Sequence, residues 1–232
     1  MKNKVLIIVG VIVVVGLLII AMILPGNEKK EEKRKVDLLG INYEIEGNET
    51  SLNYDTENPV VALDVEKYGS VVMELYPSVA PNTVNNFISL IKQGFYDNNS
   101  FHRLVPGFVL QGGDPDGNGS GGPGYTIKGE FTNNGFQNDL KHDKWVISMA
   151  RSQENDSAGS QFFICLDNAN SLDGDYAAFG KVIDGFKILE AIEENERVAD
   201  QNSGKLQENL VIKKALIDLK GKEYSEVEKA SE

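Results

Sequence analysis

From Val5 to Leu24, twenty consecutive residues carry no charged or strongly polar side chain, and only Gly10 and Gly16 interrupt the apolar run. At a helical rise of about 1.5 Å per residue this stretch is about 30 Å long, the thickness of a bilayer hydrocarbon core. A cleaved leader would have a shorter apolar region and a small-x-small cleavage site, which Ala21-Met22-Ile23 does not supply. The Val/Ile content would suit a buried strand, but soluble folds rarely bury twenty such residues in one run, so a transmembrane helix is expected. Residues 1–24 are thus read as a membrane anchor, and the rest must fold in water. Two rules disagree on orientation. Lys29, Lys30, Lys33, Arg34 and Lys35 follow the run while only Lys2 and Lys4 precede it, which favours a cytoplasmic C-terminus. A short charged stub before an apolar run has the layout of an export signal, whose charged end stays inside. The export layout is followed here, giving a single-pass cell-membrane protein with its main domain outside the cytoplasm.

Charge restricts the partners of that domain. Residues 1–35 hold seven of the 23 Lys/Arg and three of the 35 Asp/Glu, leaving 16 basic and 32 acidic side chains in the remainder, a net charge of −16. Such a surface repels a phosphate backbone, so nucleic acid is excluded as a partner. Cys165 is the only cysteine, which rules out an intrachain disulfide and a multi-cysteine zinc site.

Residues 25–58 begin with a charge run, continue rich in Asn, Glu and Asp, and read as a linker. From Pro59 the texture changes. Val61, Leu63 and Val65, then Val71, Met73 and Leu75, alternate on either side of a Lys67-Tyr68-Gly69 turn and predict a β-hairpin. Val84, Phe87, Ile88 and Ile91 fall on one helical face, with Pro81 suited to the first turn and Gly94 to the stop. Strand-like runs follow at 103–110, 125–128, 145–150, 161–166 and 177–183. Phe186, Leu189 and Ile192 sketch a second helix, 210–219 a closing strand, and residues 221–232 a charged tail. Many short strands with two separated helices predict a mainly β fold, a closed antiparallel barrel with helices over its ends.

Four blocks carry the chemistry: FHRLVPGFVLQGGD (101–114), ISMARS (147–152), GSQFFI (159–164) and LDGDYAAFGKV (172–182). In this order and approximate spacing they resemble the cyclophilin family of peptidyl-prolyl cis/trans isomerases, in a membrane-anchored, bacterial-like form, over residues 59–220. The resemblance implies a closed eight-stranded antiparallel β-barrel capped by two α-helices, here preceded by the transmembrane helix. It makes Arg103 the catalytic arginine, donating to the prolyl nitrogen or the rotating carbonyl. Phe108, Val109, Phe163 and Leu172 correspond to the proline pocket, and Gln111 to an amide that anchors backbone. Ala150 and Arg151 offer backbone groups to the peptide, and His102 and Tyr176 join the substrate-binding set. No metal or cofactor is called for. The implied partners are proline-containing segments of unfolded or partly folded proteins, and the implied activity is isomerisation of X–Pro bonds in exported chains. A peptide-binding module on the same fold is the alternative, but a pure binder has no need of the arginine.

Ser171 stands where many eukaryotic members have a Trp that lines the cyclosporin pocket, so cyclosporin is expected to bind weakly. Three other patterns lead elsewhere. Gly117-x-Gly119-x-x-Gly122 matches a dinucleotide fingerprint in letters, but Pro123 and a strand-like run follow where a helix should begin. Asp114 to Ser120 resembles the first half of a calcium loop, with Tyr125 where a bidentate Glu belongs. His102 could serve a hydrolytic triad, but Gly159-Ser160-Gln161 lacks the second glycine of a nucleophile elbow.

Overall fold

A computed structural model of the chain describes residues 34–38, 41–45 and 48–230. The apolar run at 5–24 lies outside the described residues; among these, no helix is long and apolar enough to cross a membrane. The strands, in chain order, are β1 (Arg34–Leu38), β2 (Ile41–Ile45), β3 (Val60–Val65), β4 (Gly69–Leu75), β5 (Asn99–Val105), β6 (Val109–Gly112), β7 (Val146–Met149), β8 (Phe162–Cys165), β9 (Ala178–Asp184), β10 (Val198–Asp200) and β11 (Lys205–Asp218). Helix α1 spans Pro81–Lys92 and α2 spans Phe186–Asn195. β1 and β2 pair only with each other.

Eight strands close a barrel in the order β11-β3-β4-β9-β7-β8-β6-β5, with β5 returning to β11, and every pairing is antiparallel. β10 is an extra strand on β11. Period-2 alternation sends Val61, Leu63, Val71, Met73, Phe101, Leu104, Ile147, Phe162 and Phe179 into the lumen, where they are fully buried in one core. Helix α1 lays Val84, Phe87, Leu90 and Ile91 on that core, and the Phe87 ring meets Tyr96, Phe162 and Phe179 at about 5 Å between centroids. Its N-terminus lacks a local side-chain cap. The Glu130 carboxylate serves instead, accepting from the Asn82 and Thr83 N–H groups at 3.0 and 2.7 Å.

The structure departs from the sequence expectation in four places. The run at 103–110 is two strands, because Pro106 and Gly107 (φ +70°) turn the chain between β5 and β6. The run at 125–128 makes only isolated bridges through Ile127. Residues 48–58, assigned to the linker on composition, lie along β11 and cover the barrel's outer face. Asn48 and Thr50 bond the backbone of Ile217 at 2.8 and 2.9 Å, and Leu52 joins Val60, Ala62, Val72 and Leu216 in a second apolar cluster. The charged tail is also docked, with Tyr224 and Val227 packed on the main core.

Candidate active site

The barrel's outward-facing residues build the site. β5, β6, β8 and β7 are neighbours, and their register sets Arg103 opposite Gln111, Gln111 opposite Phe163, and Phe163 opposite Ser148. One row across four strands therefore carries a cation, an amide, an aromatic ring and a hydroxyl. On the same outer face, Val109 and Cys165 are paired directly opposite each other. These residues form a third apolar cluster, separate from the lumen: Val109, Phe163, Cys165 and Ala169 are buried, with Val105, Phe108, Ala150, Leu172 and Tyr176 half-buried around them. The result is an apolar slot with an arginine at its edge. Phe108, Val109, Ala150, Phe163, Leu172 and Tyr176, assigned to substrate binding in the sequence, come together here.

Arg103 is held in plane. Its Nε donates to the Ser203 carbonyl at 2.7 Å and its Nη1 to Gln111 Oε1 at 3.2 Å, which leaves the rest of the fork for a ligand. Burial lowers its pKa and the nearby Tyr176 acts the other way; a guanidinium so placed stays charged. Gln111 in turn donates to Gln161 Oε1 at 3.0 Å, and Gln161 donates to the Gly119 and Gly121 carbonyls at 3.1 and 2.9 Å. Gln161 was overlooked in the sequence although it stands in the quoted GSQFFI block. Its role becomes visible only when β6 and β8 are paired.

Arg151 does more than offer backbone. Its Nε donates to the Asp175 carbonyl at 2.8 Å, and its guanidinium lies between the Phe131 and Tyr176 rings, 5.0 and 4.9 Å from their centroids. It thereby ties the Ala150 side of the slot to the Leu172–Tyr176 side. The Ala150 N–H is engaged by the Gln161 carbonyl at 2.9 Å, so only the Ala150 carbonyl is available to a peptide.

His102 is not in the slot. A bulge between Phe101 and Arg103 in β5 turns its ring under the glycine-rich loop, where 5% of the residue is exposed and neither ring nitrogen has a partner among the described residues. Burial lowers its pKa against the opposing influence of Asp114. Asp114 accepts from the Asp116, Asn118 and Gly119 N–H groups, so the loop's own backbone takes up its carboxylate. Those bonds outweigh burial and hold the Asp114 pKa below its ordinary value.

A second arrangement went unrecognised in the sequence. His142 Nδ1 is 3.0 Å from Asp173 Oδ1, and His142 Nε2 is 3.0 Å from Ser148 Oγ. A carboxylate beside Nδ1 fixes the proton there, so Nε2 accepts from the Ser148 hydroxyl. The geometry is that of a hydrolytic triad, yet Ser148 is fully buried behind Phe163 and no substrate can reach its oxygen. Burial lowers the His142 pKa, with Asp173 opposing, and keeps the ring neutral near pH 7. The imidazole stacks on Phe163 (6.0 Å, 21°) and meets Tyr176 edge-on (6.5 Å), so the relay braces the floor of the slot. Cys165, its thiol pushed up to about 12 by burial, is no nucleophile either.

Beside the slot, and sharing Gln111, Ala150 and Gln161 with it, lies a polar groove of about 640 Å³ walled by the glycine-rich loop, Tyr125 and Arg151. An apolar slot, a fixed cation at its edge and a groove beside it make a site that an extended peptide fits. The comparisons agree. Residues 60–217 match the family model described as cyclophilin type peptidyl-prolyl cis-trans isomerase/CLD. Peptidyl-prolyl cis-trans isomerase B of Bacillus subtilis is 46% identical over 124 residues, covering 53% of this chain and 83% of the relative. A peptidyl-prolyl cis-trans isomerase of Helicobacter pylori is 42% identical over 130 residues, covering 55% and 77%. The crystal structure of a Cryptosporidium parvum cyclophilin type isomerase, in the presence of the dipeptide ala-pro, is 36% identical with a TM-score of 0.60 and covers 68% of this chain and 98% of that one. The chain belongs to the cyclophilin-type peptidyl-prolyl cis-trans isomerase family, and prolyl isomerisation is its activity.

Proposed function

We propose that this chain is a membrane-tethered prolyl isomerase acting on proteins that fold after export, with Arg103 as the group that stabilises the twisted X–Pro bond. The register row Arg103–Gln111–Phe163 supports the arginine's part in this reading. An X–Pro bond isomerises over about 18–20 kcal/mol because rotation destroys amide resonance. No nucleophile or proton transfer is needed. As the bond twists, the prolyl nitrogen becomes pyramidal and basic, and a donor already fixed beside it strengthens its hydrogen bond at that moment. Phe163, Phe108, Val109 and Leu172 hold the ring and exclude water, while Ser203 and Gln111 hold the guanidinium, so little reorganisation accompanies the twist.

Exchange NMR on an X–Pro peptide with the full chain in mild detergent tests the assignment. Arg103→Ala should lower kcat/KM by about two to three orders of magnitude, the usual cost of removing one preorganised donor. Arg103→Lys, which keeps the charge but not the fork, should fall between. Turnover within threefold of the parent in Arg103→Ala would remove the arginine from the mechanism. The tether rests on the Val5–Leu24 run, and the outward placement on the export-signal layout. Protease added to spheroplasts should degrade the domain while a cytosolic control survives; protection until lysis reverses the topology and makes the clients cytosolic.

A further inference from the structure

We propose that the side chains of Asn48 and Lys214 join in an amide bond, with loss of ammonia and with Asp97 as the proton carrier, so that the segment ahead of the barrel is covalently fixed to its last strand. The residues matched by the family model begin at 60, so the group that receives the bond lies outside the match while Asp97 and Lys214 lie inside it.

Three polar side chains from distant stretches of chain meet in one buried contact. Lys214 comes from β11, Asp97 from the turn between α1 and β5, and Asn48 from the segment that lies along β11. Asn48 is 8% exposed, Lys214 6%, and the Asp97 side chain 13%. Each is held by its backbone: the Asn48 carbonyl accepts from the Ile217 N–H at 2.8 Å, the Asp97 N–H donates to the Gly94 carbonyl at 3.1 Å, and Lys214 is paired with Asp64 in the barrel sheet.

The Lys214 Nζ donates to Asp97 Oδ2 at 2.7 Å and to Asn48 Oδ1 at 2.8 Å. The Asn48 Nδ2 donates to Asp97 Oδ1 at 3.0 Å and to the Ala215 carbonyl at 2.9 Å. These partners fix which way the amide faces, because a flip would set Oδ1 against two acceptors and Nδ2 against an ammonium. One carboxylate therefore touches both the amine that can attack the amide and the nitrogen that would leave it, with one oxygen on each. An ion pair alone needs only the first of those contacts.

An ammonium has no lone pair, so the first step moves a proton from Nζ to Asp97 Oδ2 along the 2.7 Å bond. Keeping both charges out of water is costly, and this transfer removes both at once. Nζ then attacks Asn48 Cγ, which lies about 1.2 Å behind the oxygen that Nζ already touches, and the π pair moves to Oδ1. As that pair returns, the Cγ–Nδ2 bond breaks, Asp97 gives its proton to Nδ2 and takes a second proton from Nζ. The products are a secondary amide between Nζ and Cγ, a protonated Asp97 and ammonia, which carries the last proton away as ammonium and restores the carboxylate. No oxidant, reductant or further reactant takes part. Amides react with amines when the two are held in contact in a fixed orientation, and burial supplies that here. The link makes residues 48–214 one covalent ring, so the segment that covers β3 stays with β11 even when the hydrogen bonds between them open.

Mass spectrometry of the full chain in detergent, shown to be folded by circular dichroism, tests this. Trypsin releases residues 36–67 and 215–220 as separate peptides from an unlinked chain, and as one branched peptide of 36–67 and 214–220 from a linked one, since an acylated Lys214 is not cut. The parent should be lighter than its sequence by one ammonia, and the branched peptide should be its main form, with fragment ions that place the branch between Asn48 and Lys214. Lys214→Arg and Asp97→Asn should each show the full sequence mass and separate peptides; Asp97→Asn leaves both reacting groups in place and so tests the proton carrier alone. The parent's peptide map decides the link even where a variant does not fold. Separate peptides alone from the folded parent overturn the inference, and so does an ammonia loss confined to 36–67, the mark of a cyclic imide at Asn48. A branch that forms equally in Asp97→Asn overturns the part given to Asp97.

Discussion

The buried pair Ser148–His142 offers a prediction whose size follows from the structure. Ser148 is fully buried and His142 is 1% exposed, and they share one 3.0 Å hydrogen bond behind Phe163. His142→Phe keeps a ring against Phe163 but strands the Ser148 hydroxyl, at a cost of about 1–3 kcal/mol for an unsatisfied buried group. Asp173 loses its bond to the imidazole but keeps the His142 backbone N–H at 2.8 Å and the ion pair with Lys141, so its loss is smaller. Ser148→Ala alone strands His142 Nε2 and should cost about 1–2 kcal/mol. The double variant removes both polar partners together, which is often nearly neutral, so the two changes should couple by about 1–2 kcal/mol. Urea denaturation of the three variants and the parent, with m-values checked for constancy, measures this directly. Costs that add within about 0.3 kcal/mol would show that the two groups do not share a bond that matters. Activity separates the brace from mere stability: His142→Ala, which removes the ring under Phe163, should raise KM for a prolyl peptide more than His142→Phe does, under conditions where both are folded.

Stability should fall on mild acidification. Burial lowers the pKa of both His102 and His142, so between pH 6.5 and their lowered native values the unfolded chain takes up protons that the native chain refuses, and each histidine removes up to about 1.4 kcal/mol per pH unit. Urea midpoints that stay flat from pH 7 to 5 would contradict this, and His142→Phe should reduce the slope. The lowered pKa values of Asp114, Asp173 and Asp218 act in a lower window: their contribution is present above about pH 4 and disappears as pH falls through their native values. Ser171 is exposed in the turn Asn170–Leu172 beside the slot, so cyclosporin should inhibit weakly and Ser171→Trp should tighten it by on the order of tenfold or more, through the apolar area of an indole; tight inhibition of the parent in a competition assay would show that another residue fills that place.

The row Arg103–Gln111–Phe163 was legible because it is built from strands whose side chains alternate. Once FHRLVPGFVLQ is split at Pro106-Gly107, period 2 places Arg103 and Gln111 on one face, and the register supplies the contact. What could not be read is what depends on pairing between distant segments. Gln161 matters through Gln111, fifty residues away, and His142 matters through Ser148 and Asp173, one on a strand and one in a loop. His102 was drawn into the substrate set by its position next to Arg103. A β-bulge breaks that inference, since neighbours at a bulge no longer point to predictable faces.

Residues 48–58, read as part of a linker, are docked on the barrel, and the clue lay in the strand they cover. A strand of an antiparallel barrel with solvent outside should alternate, yet β3 reads Val60-Val61-Ala62-Leu63, apolar on both faces. The lumen accounts for Val61 and Leu63 only. Val60 and Ala62 must be covered from outside, and the nearest apolar residues in the sequence are Leu52 and Tyr54 in the stretch assigned to linker. Asn48, one of the polar residues that made this stretch look solvated, helps tie it down: it donates to Asp97 and to the Ala215 carbonyl, and the Leu52 N–H donates to Asp218. Lys214 completes the joint by reaching Asp97 at 2.7 Å with both side chains largely buried, a pair that is costly to break from one side. The folding unit therefore extends beyond the matched residues 60–217 at both ends, and a fragment cut at those limits would expose the apolar face of β3 and leave Lys214 without its Asn48 neighbour.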